Sequence, residues 1–495
     1  MRVLFASSEV FPLVKTGGLA DVSGALPAAL AALGVDVRVL IPGYPVALEK
    51  AEGKRTVGSL GDPLNVGGEA RLISAKLPDS GVPVWLIDCP VLYDRAGGPY
   101  SDASGKDWPD NALRFGLLSW AAAHLCTDGS PVKWRPDFLH CHDWQTGLAP
   151  AYLRAWEVTD RPPTVFTIHN IAYQGQFAPD MVGRLGLPPE MYAVDGLEYY
   201  SSMSFLKAGL FYSDRLTTVS PRYSKEIQTS AFGCGIEGLL TTRANDLIGI
   251  INGADYGVWS PAIDSYLPHP YQPSDFDTKA LCKTALQAEL GLAQDPEAPL
   301  MVIVSRLTDQ KGMDLVLGAM PTILRLGGQV AVVGAGDRAL EEGFTSVAAH
   351  HPEQVAVKLG YSEPLAHRLI GGGDMLLMPS RFEPCGLTQF YSLRYGTVPI
   401  AHATGGLADT LVDTSYDSLM TGTATAFVFE HANVGAFQWA IERAVGLYRQ
   451  KDQWRKIKAG CIAQDFGWDR SAARYMDLYR ALGAAAAMDK ARVDA

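Results

Sequence analysis

MRVLFASSEVFPLVKTGGLADVSGALPAALAALGVDVRVLIP, residues 1–42, spells one structural unit. Residues 2–7 are an apolar run of strand length, and Gly17-Gly18 turns the chain. Residues 21–33 then carry apolar side chains at the spacing of an amphipathic helix ending at Gly34. Residues 35–41 form a second apolar run. Parallel strands need a crossover, and a helix supplies it, so strand, turn, helix and strand together predict a parallel sheet. The same grammar returns at 137–142, 163–168 and 215–219. The chain is therefore expected to be α/β, with a doubly wound parallel sheet in its first part. Glu9 interrupts the opening apolar stretch and no small-residue cleavage site follows, so the start reads as a strand rather than a secretory leader.

The pattern stops between residues 252 and 273, where Pro261, Pro268, Pro270 and Pro273 crowd a polar stretch headed by Asn252-Gly253. It restarts with strands expected at 300–305, 329–333, 355–359, 374–378 and 398–402, each followed by a helical segment. These five strands make a second doubly wound domain. The expected division is residues 1–251, a connection at 252–273, and residues 274–465. At 495 residues the chain exceeds what one hydrophobic core supports, which agrees with two domains. An amphipathic segment at 468–482 follows, with an alanine-rich tail expected to fray.

A net charge of −11 and a pI near 5.4 disfavour nucleic acid or an anionic membrane as partners, so any phosphate must be held by local cations. Seven cysteines without a CxxC pair fit a reducing, cytoplasmic setting and give no zinc site. No apolar run approaches the roughly 20 residues of a membrane helix.

Chemistry-bearing residues gather just after the predicted strands, where open α/β sheets bind ligands. The string Thr-Gly-Gly-Leu-Ala-Asp occurs twice, at 16–21 and at 404–409, preceded by Lys15 in one case and Ala403 in the other. Paired glycines let the backbone approach a bound group, and the helix that follows offers N–H groups to an anion, so Gly17, Gly18 and Asp21 are candidate binding residues. In Ser305-Arg306-Leu307-Thr308-Asp309-Gln310-Lys311-Gly312, two cations five residues apart can clamp a diphosphate; the same pair could equally be a solvated helix start. In Arg381-Phe382-Glu383-Pro384-Cys385-Gly386-Leu387-Thr388, Glu383 can hold hydroxyls while the backbone of Cys385, Gly386, Leu387 and Thr388 receives a phosphate. Cys385 has no neighbouring base in sequence and reads as a small residue beneath the loop. His140-Cys141-His142-Asp143-Trp144 and Thr167-Ile168-His169-Asn170 both end strands, and His140 and His142 face one side together. Two histidines and one carboxylate make a weak metal set, so Asp143 and His169 are expected to face a sugar and the other histidines to be structural. Tyr361, also after a strand, offers a ring for stacking on a base. Gly334-Ala335-Gly336-Asp337 is half a dinucleotide fingerprint and lacks the third glycine.

Taken together, Lys15-Thr-Gly-Gly-Leu-Ala-Asp-Val22, His142-Asp-Trp144, Thr167-Ile-His-Asn170, Ile251-Asn-Gly-Ala-Asp255, Ser305 to Gly312 and Glu383-Pro-Cys-Gly-Leu-Thr-Gln389 resemble the bacterial glycogen synthase and plant starch synthase family. The resemblance runs from the first strand to about Tyr479. It implies a GT-B fold, two Rossmann-like domains facing a deep cleft, with the C-terminal helix at 466–482 crossing back to the first. It also implies retaining transfer of glucose from ADP-glucose to the non-reducing end of an α-1,4-glucan such as glycogen, releasing ADP, with no metal and no cofactor. By position it assigns Arg306 and Lys311 to the donor diphosphate, Lys15 to the same phosphates from the other domain, and Glu383 to the transferred glucose. His169 and Asn252 would lie near the sugar, Asp143 near the acceptor and Tyr361 beside the adenine. Position 391, where many retaining GT-B enzymes carry a second glutamate, is tyrosine here. The competing readings are a glucan phosphorylase, for which no pyridoxal-bearing lysine is indicated, a nicotinamide oxidoreductase, and a nucleotide-sugar sensor without turnover.

Overall fold

Parallel strands are covered on both faces, which is why most of the β-segments read as apolar runs. Leu300–Val304 (LMVIV) and Met375–Met378 (MLLM) are examples. The computed structural model describes residues 1–272 and 275–493, and it divides into two units. The first comprises residues 1–253 and the chain from Trp468 onward, and the second Ala254–Gly467.

In the first unit, nine strands form one sheet in the spatial order Leu247–Gly249, Arg215–Thr218, Thr164–Ile168, Phe138–His142, Arg2–Ala6, Asp36–Pro42, Pro83–Asp88, Ala70–Lys76, Glu52–Gly61. Every pairing along this row as far as Pro83–Asp88 is parallel, but the last two strands pair antiparallel. The sheet is thus mixed, not wholly parallel as expected. Glu52–Gly61 lies at the edge with most of its side chains exposed, so it lacks the apolar run that marks the buried strands. The strand order reverses around Arg2–Ala6, which places its carboxyl end and that of Phe138–His142 at a topological switch point. A separate antiparallel sheet is built from Gln176–Phe177, Ser202–Ser204 and Glu198–Tyr199.

The helix after the first strand starts at Gly18, inside the repeated string, and ends at Ala32. The C-terminal helix runs from Trp468 to Val493, well past the expected end at 482 and through the alanine-rich segment. Its Tyr475 and Tyr479 are fully buried in the first unit, Tyr479 against Phe138 at 5.3 Å. Gly253 is needed at the start of this return, because a Cβ there would lie 2.6 Å from the Trp468 backbone.

The second unit holds six parallel strands in the order Val355–Leu359, Gln329–Gly334, Leu300–Val304, Met375–Met378, Val398–His402, Phe427–Phe429. The sixth, three residues long, is too short to give a periodic signal. Here the order reverses at Leu300–Val304, so the loops 305–312 and 379–387 meet at the switch point.

The stretch expected as a connection is largely packed into the second unit, up to its end at Pro273, which lies outside the described residues. Trp259 stacks between His367 at 3.6 Å and Tyr391 at 4.1 Å. Asp264, buried, accepts from Tyr395 Oη at 2.6 Å and pairs with His367 Nδ1 at 2.7 Å. The prolines break regular structure without freeing the chain. Tyr391 therefore has a packing partner in Trp259.

Candidate functional site

Two loops of the second unit bring the predicted donor residues together. Gly312 caps the helix Met313–Arg325 with φ of +68°, and a Cβ on it would lie 2.1 Å from the Pro379 carbonyl oxygen. Only glycine allows that approach, and it presses the 305–312 loop onto the start of the next. Arg381 ties the same loops, donating to both Asp314 carboxylate oxygens at 2.7 Å. As a result Lys311 Nζ lies 2.6 Å from Glu383 Oε2, which also accepts from Ser380 Oγ at 3.0 Å. Both side chains are largely shielded, 19% and 7% exposed. Arg306 is exposed and its Nη2 donates to Gln310 Oε1 at 3.0 Å.

The two copies of the repeated string adopt different backbones. In the first copy Gly17 is extended at φ −152°, and a Cβ there would meet nothing within 4 Å. In the second, Gly405 has φ of +44° and a Cβ there would meet the Glu383 carbonyl oxygen at 1.9 Å. A Cβ on Gly406 would clash with Cys385 O at 2.1 Å, and the Gly406 N–H donates to Glu383 O at 3.0 Å. The second copy is a backbone support for the Glu383 loop. Gly406→Ala is therefore expected to destabilise the fold by roughly 1–3 kcal/mol and to slow turnover, while Gly17→Ala leaves the melting temperature unchanged; thermal melts and kcat on the two variants check this.

Gly334 and Gly336 have an analogous role. Cβ atoms there would lie 1.9 Å from Ser305 O and 2.2 Å from Leu307 O, so these glycines seat the 305–312 loop. Beyond Glu383, the buried Cys385 precedes Gly386 at φ +73°, and Leu387 leads into the helix Thr388–Tyr395. Buried side-chain oxygens on Thr308, Gln389 and Thr404 have no hydrogen-bond partner among the described residues. Sequence reading missed these three and Ser380. Tyr361 follows Gly360, at φ +97°, and is 71% exposed.

In the first unit the chain between the first strand and helix folds back on itself. The buried Glu9 accepts from the Thr16 and Gly17 amides at 2.5 and 3.2 Å and from Tyr100 Oη. The sequence pattern offers those amides to an external anion; in the structure the protein's own carboxylate takes them. Burial pushes the Glu9 carboxyl above its ordinary range. Lys15 Nζ pairs with Asp21 Oδ1 at 2.9 Å, and residues 15–18 are exposed. In sequence Glu9 is only an interruption of an apolar run, yet it holds the turn that presents Lys15, Gly17 and Gly18.

Asp143 follows Phe138–His142 with φ of +56°, a backbone most residues avoid. Its Oδ1 accepts from the His169 and Asn170 amides at 2.7 and 3.4 Å, and burial pushes its carboxyl up to about 7. His142 Nδ1 and His169 Nε2 are 2.9 Å apart, and burial pushes His169 down to about 3. His140 bonds Tyr479 Oη and Thr167 Oγ1, each at 2.7 Å, and so is structural. Among the described residues no group of three or more His, Cys, Asp or Glu side chains could hold a metal ion. Asn252 is buried and its Oδ1 has no partner among the described residues. Among the described residues no helix is long and apolar enough to cross a membrane.

Residues 2–242 match the family described as starch synthase catalytic domain, and residues 290–459 match glycosyl transferases group 1. A glycogen synthase of Paramagnetospirillum magneticum is 73% identical over 97% of this chain and 98% of its own length. One from Aromatoleum aromaticum is 51% identical over 98% of both. Among solved structures, the catalytic domain of starch synthase IV from Arabidopsis thaliana, bound to ADP and acarbose, superposes with a TM-score of 0.88 at 31% identity, covering 98% of this chain and 99% of that one. A sucrose-phosphate synthase from Thermosynechococcus elongatus, 17% identical with a TM-score of 0.58, shares the fold over 98% of this chain and 99% of its own. Two doubly wound units, a cation and a carboxylate meeting at a switch point, and near-complete coverage by these relatives lead to one assignment: the chain belongs to the glycogen synthase family of GT-B glycosyltransferases, retaining enzymes that extend an α-1,4-glucan from a nucleotide-sugar donor.

Proposed function

We propose that the donor is ADP-glucose, the acceptor is the non-reducing end of glycogen, and Lys311 and Glu383 bracket the bond that breaks. The observation that carries this is their 2.6 Å separation. A cation for the diphosphate and a carboxylate for the sugar hydroxyls that lie this close define the junction between phosphate and sugar. Arg306 adds charge on the diphosphate, and Cys385 to Thr388 offer backbone N–H groups to it. The exposed Tyr361 ring stacks on adenine. From the first unit, His169 and Asn252 serve the sugar, Asp143 the acceptor end, and Lys15, with Asp21 and the Gly17-Gly18 turn, the phosphate side. The work is expected to take place in the cytoplasm. The preference for adenine draws on the ADP of the starch synthase IV structure.

Both donor and product are α-linked, and no side chain in this set is an evident covalent nucleophile. The acceptor hydroxyl attacks C1 from the face that ADP leaves, the bond from C1 to the phosphate oxygen breaks, and the hydroxyl proton passes to that departing oxygen. Lys311 and Arg306 stabilise the charge growing there. Side-by-side transfer assays on glycogen test the donor. ADP-glucose is expected to give a higher kcat/KM than UDP-glucose. Because a stacking ring accepts any base, Tyr361 is tested separately: Tyr361→Ala is expected to weaken ADP binding by roughly 10-fold, and unchanged ADP affinity would remove Tyr361 from the base.

A further inference from the structure

The hydrogen bond between the two histidine rings has a direction, and the direction fixes what His169 can offer. We propose that His142 is a positioning residue that donates its Nδ1 proton to His169 Nε2, so that His169 presents an Nδ1–H donor to the transferred sugar. This rests on the reading that places His169 beside that sugar.

The state of His142 Nε2 decides the direction. The ring is fully buried, stacked on Phe5 at 3.9 Å and against His140 at 4.1 Å, and Nε2 has no hydrogen-bond partner among the described residues. A neutral imidazole carries one N–H and one bare nitrogen. An N–H buried without an acceptor is rarer and costlier than a bare lone pair, so the proton belongs on Nδ1. Nδ1 faces His169 Nε2 at 2.9 Å. Burial pushes His142 well below its ordinary range and His169 to about 3, so neither ring is cationic and only one proton lies between them. His169 accepts at Nε2, and its own proton must then be on Nδ1.

The surrounding groups leave this assignment intact. Asp143 Oδ1 takes the backbone amides of His169 and Asn170, not the ring. His140 has both nitrogens engaged, with Tyr479 and Thr167. His169 is thus a neutral donor suited to a sugar oxygen, and it is not a general base. The stack on Phe5 keeps the His142 ring from turning, and through it the tautomer of His169 is set from inside the sheet.

The test uses the full-length protein labelled with 15N at histidine. Long-range proton–nitrogen NMR spectra distinguish the two neutral tautomers, with His169→Ala identifying the His169 signals. A bare Nε2 and a protonated Nδ1 on His169 are expected; the opposite tautomer overturns the proposal. In assays, His142→Leu is expected to lower kcat by roughly 10- to 100-fold with little change in donor KM, the size of effect a misplaced contact produces. His142→Asn, whose amide N–H can stand near the Nδ1 position, should recover most of that loss. Equal rates in the two variants, whether slow or normal, count against the proposal. If His169→Ala itself turns over normally, the reading of His169 at the sugar fails instead; if it is slow while His142→Leu is normal, only the positioning role fails. Should His142→Leu not fold, the spectrum of the unaltered protein still decides.

Discussion

Lys311→Ala is expected to lower turnover by roughly 100-fold or more, the loss seen when one donor aimed at developing charge is removed. Lys311 is not a surface cation that a neighbour can replace: its Nζ is 2.6 Å from Glu383 Oε2 and its side chain is 19% exposed. ADP leaves with more charge on its terminal phosphate than it carries as part of the donor, so the contact strengthens in the transition state and its loss falls on kcat. ADP affinity should weaken as well, because the product carries that charge in full. Glu383→Gln separates the two halves of the site. The amide keeps an oxygen for Ser380 Oγ, which donates to Glu383 at 3.0 Å, and ADP binding should stay near normal while transfer is crippled. Calorimetric titration with ADP and steady-state rates on both variants supply the comparison. Near-normal turnover in Lys311→Ala would sink the role, and collapse of ADP affinity in Glu383→Gln would move the carboxylate to the phosphate side. Removing one partner of a shielded pair strands the other, so melts of both variants are needed to separate lost fold from lost chemistry.

The strands that position these residues are legible because they are apolar on both faces, and the loops because glycines and charges follow them at once. Leu300–Val304 ends in Ser305-Arg306, and Met375–Met378 in Pro379-Ser380-Arg381, with no intervening linker. What stays hidden depends on distance in sequence. Glu9 meets Tyr100 from 91 residues away, and nothing local announces that its carboxylate will close over the Thr16 and Gly17 amides. The ring contact between His142 and His169 follows from the parallel register in which His142 faces Thr167 on the neighbouring strand, and composition carries no register. The repeated hexapeptide shows the same limit from the other side. Identical residues give an extended Gly17 in one place and a left-handed Gly405 in the other, because the second copy is pressed on the Glu383 backbone and the first is open to solvent. The edge strand Glu52–Gly61 escapes because its exposed faces leave no apolar run to read.

Asp143→Asn is expected to make the protein more stable at pH 8 and to remove most of its activity. The carboxyl is pushed up to about 7 by burial, against an ordinary value near 3.8, and the Glu9 charge adds to the shift. Between those two values the unfolded chain gives up the proton while the native protein keeps it. Native stability from this group is therefore fully present below about pH 3.8, declines as pH rises through the window, and is lost above about pH 7. A shift of this size corresponds to at most roughly 4 kcal/mol. Asparagine has no charge to bury and keeps an oxygen for the His169 and Asn170 amides, and the backbone at φ +56° and ψ −179° strains either residue alike, so it does not enter the difference. Its advantage should reach about 2–4 kcal/mol at pH 8, a rise of roughly 3–7 °C in Tm, and shrink toward zero near pH 4. Transfer to glycogen should fall by roughly 100-fold or more, since the carboxylate that strains the fold is the one placed at the acceptor end. Melts of both proteins from pH 4 to 8, with activity at pH 8, read the two effects separately. An asparagine variant that is no more stable at pH 8 would mean that the carboxylate is well solvated in the native protein, and the cost ascribed to its burial would have no physical basis.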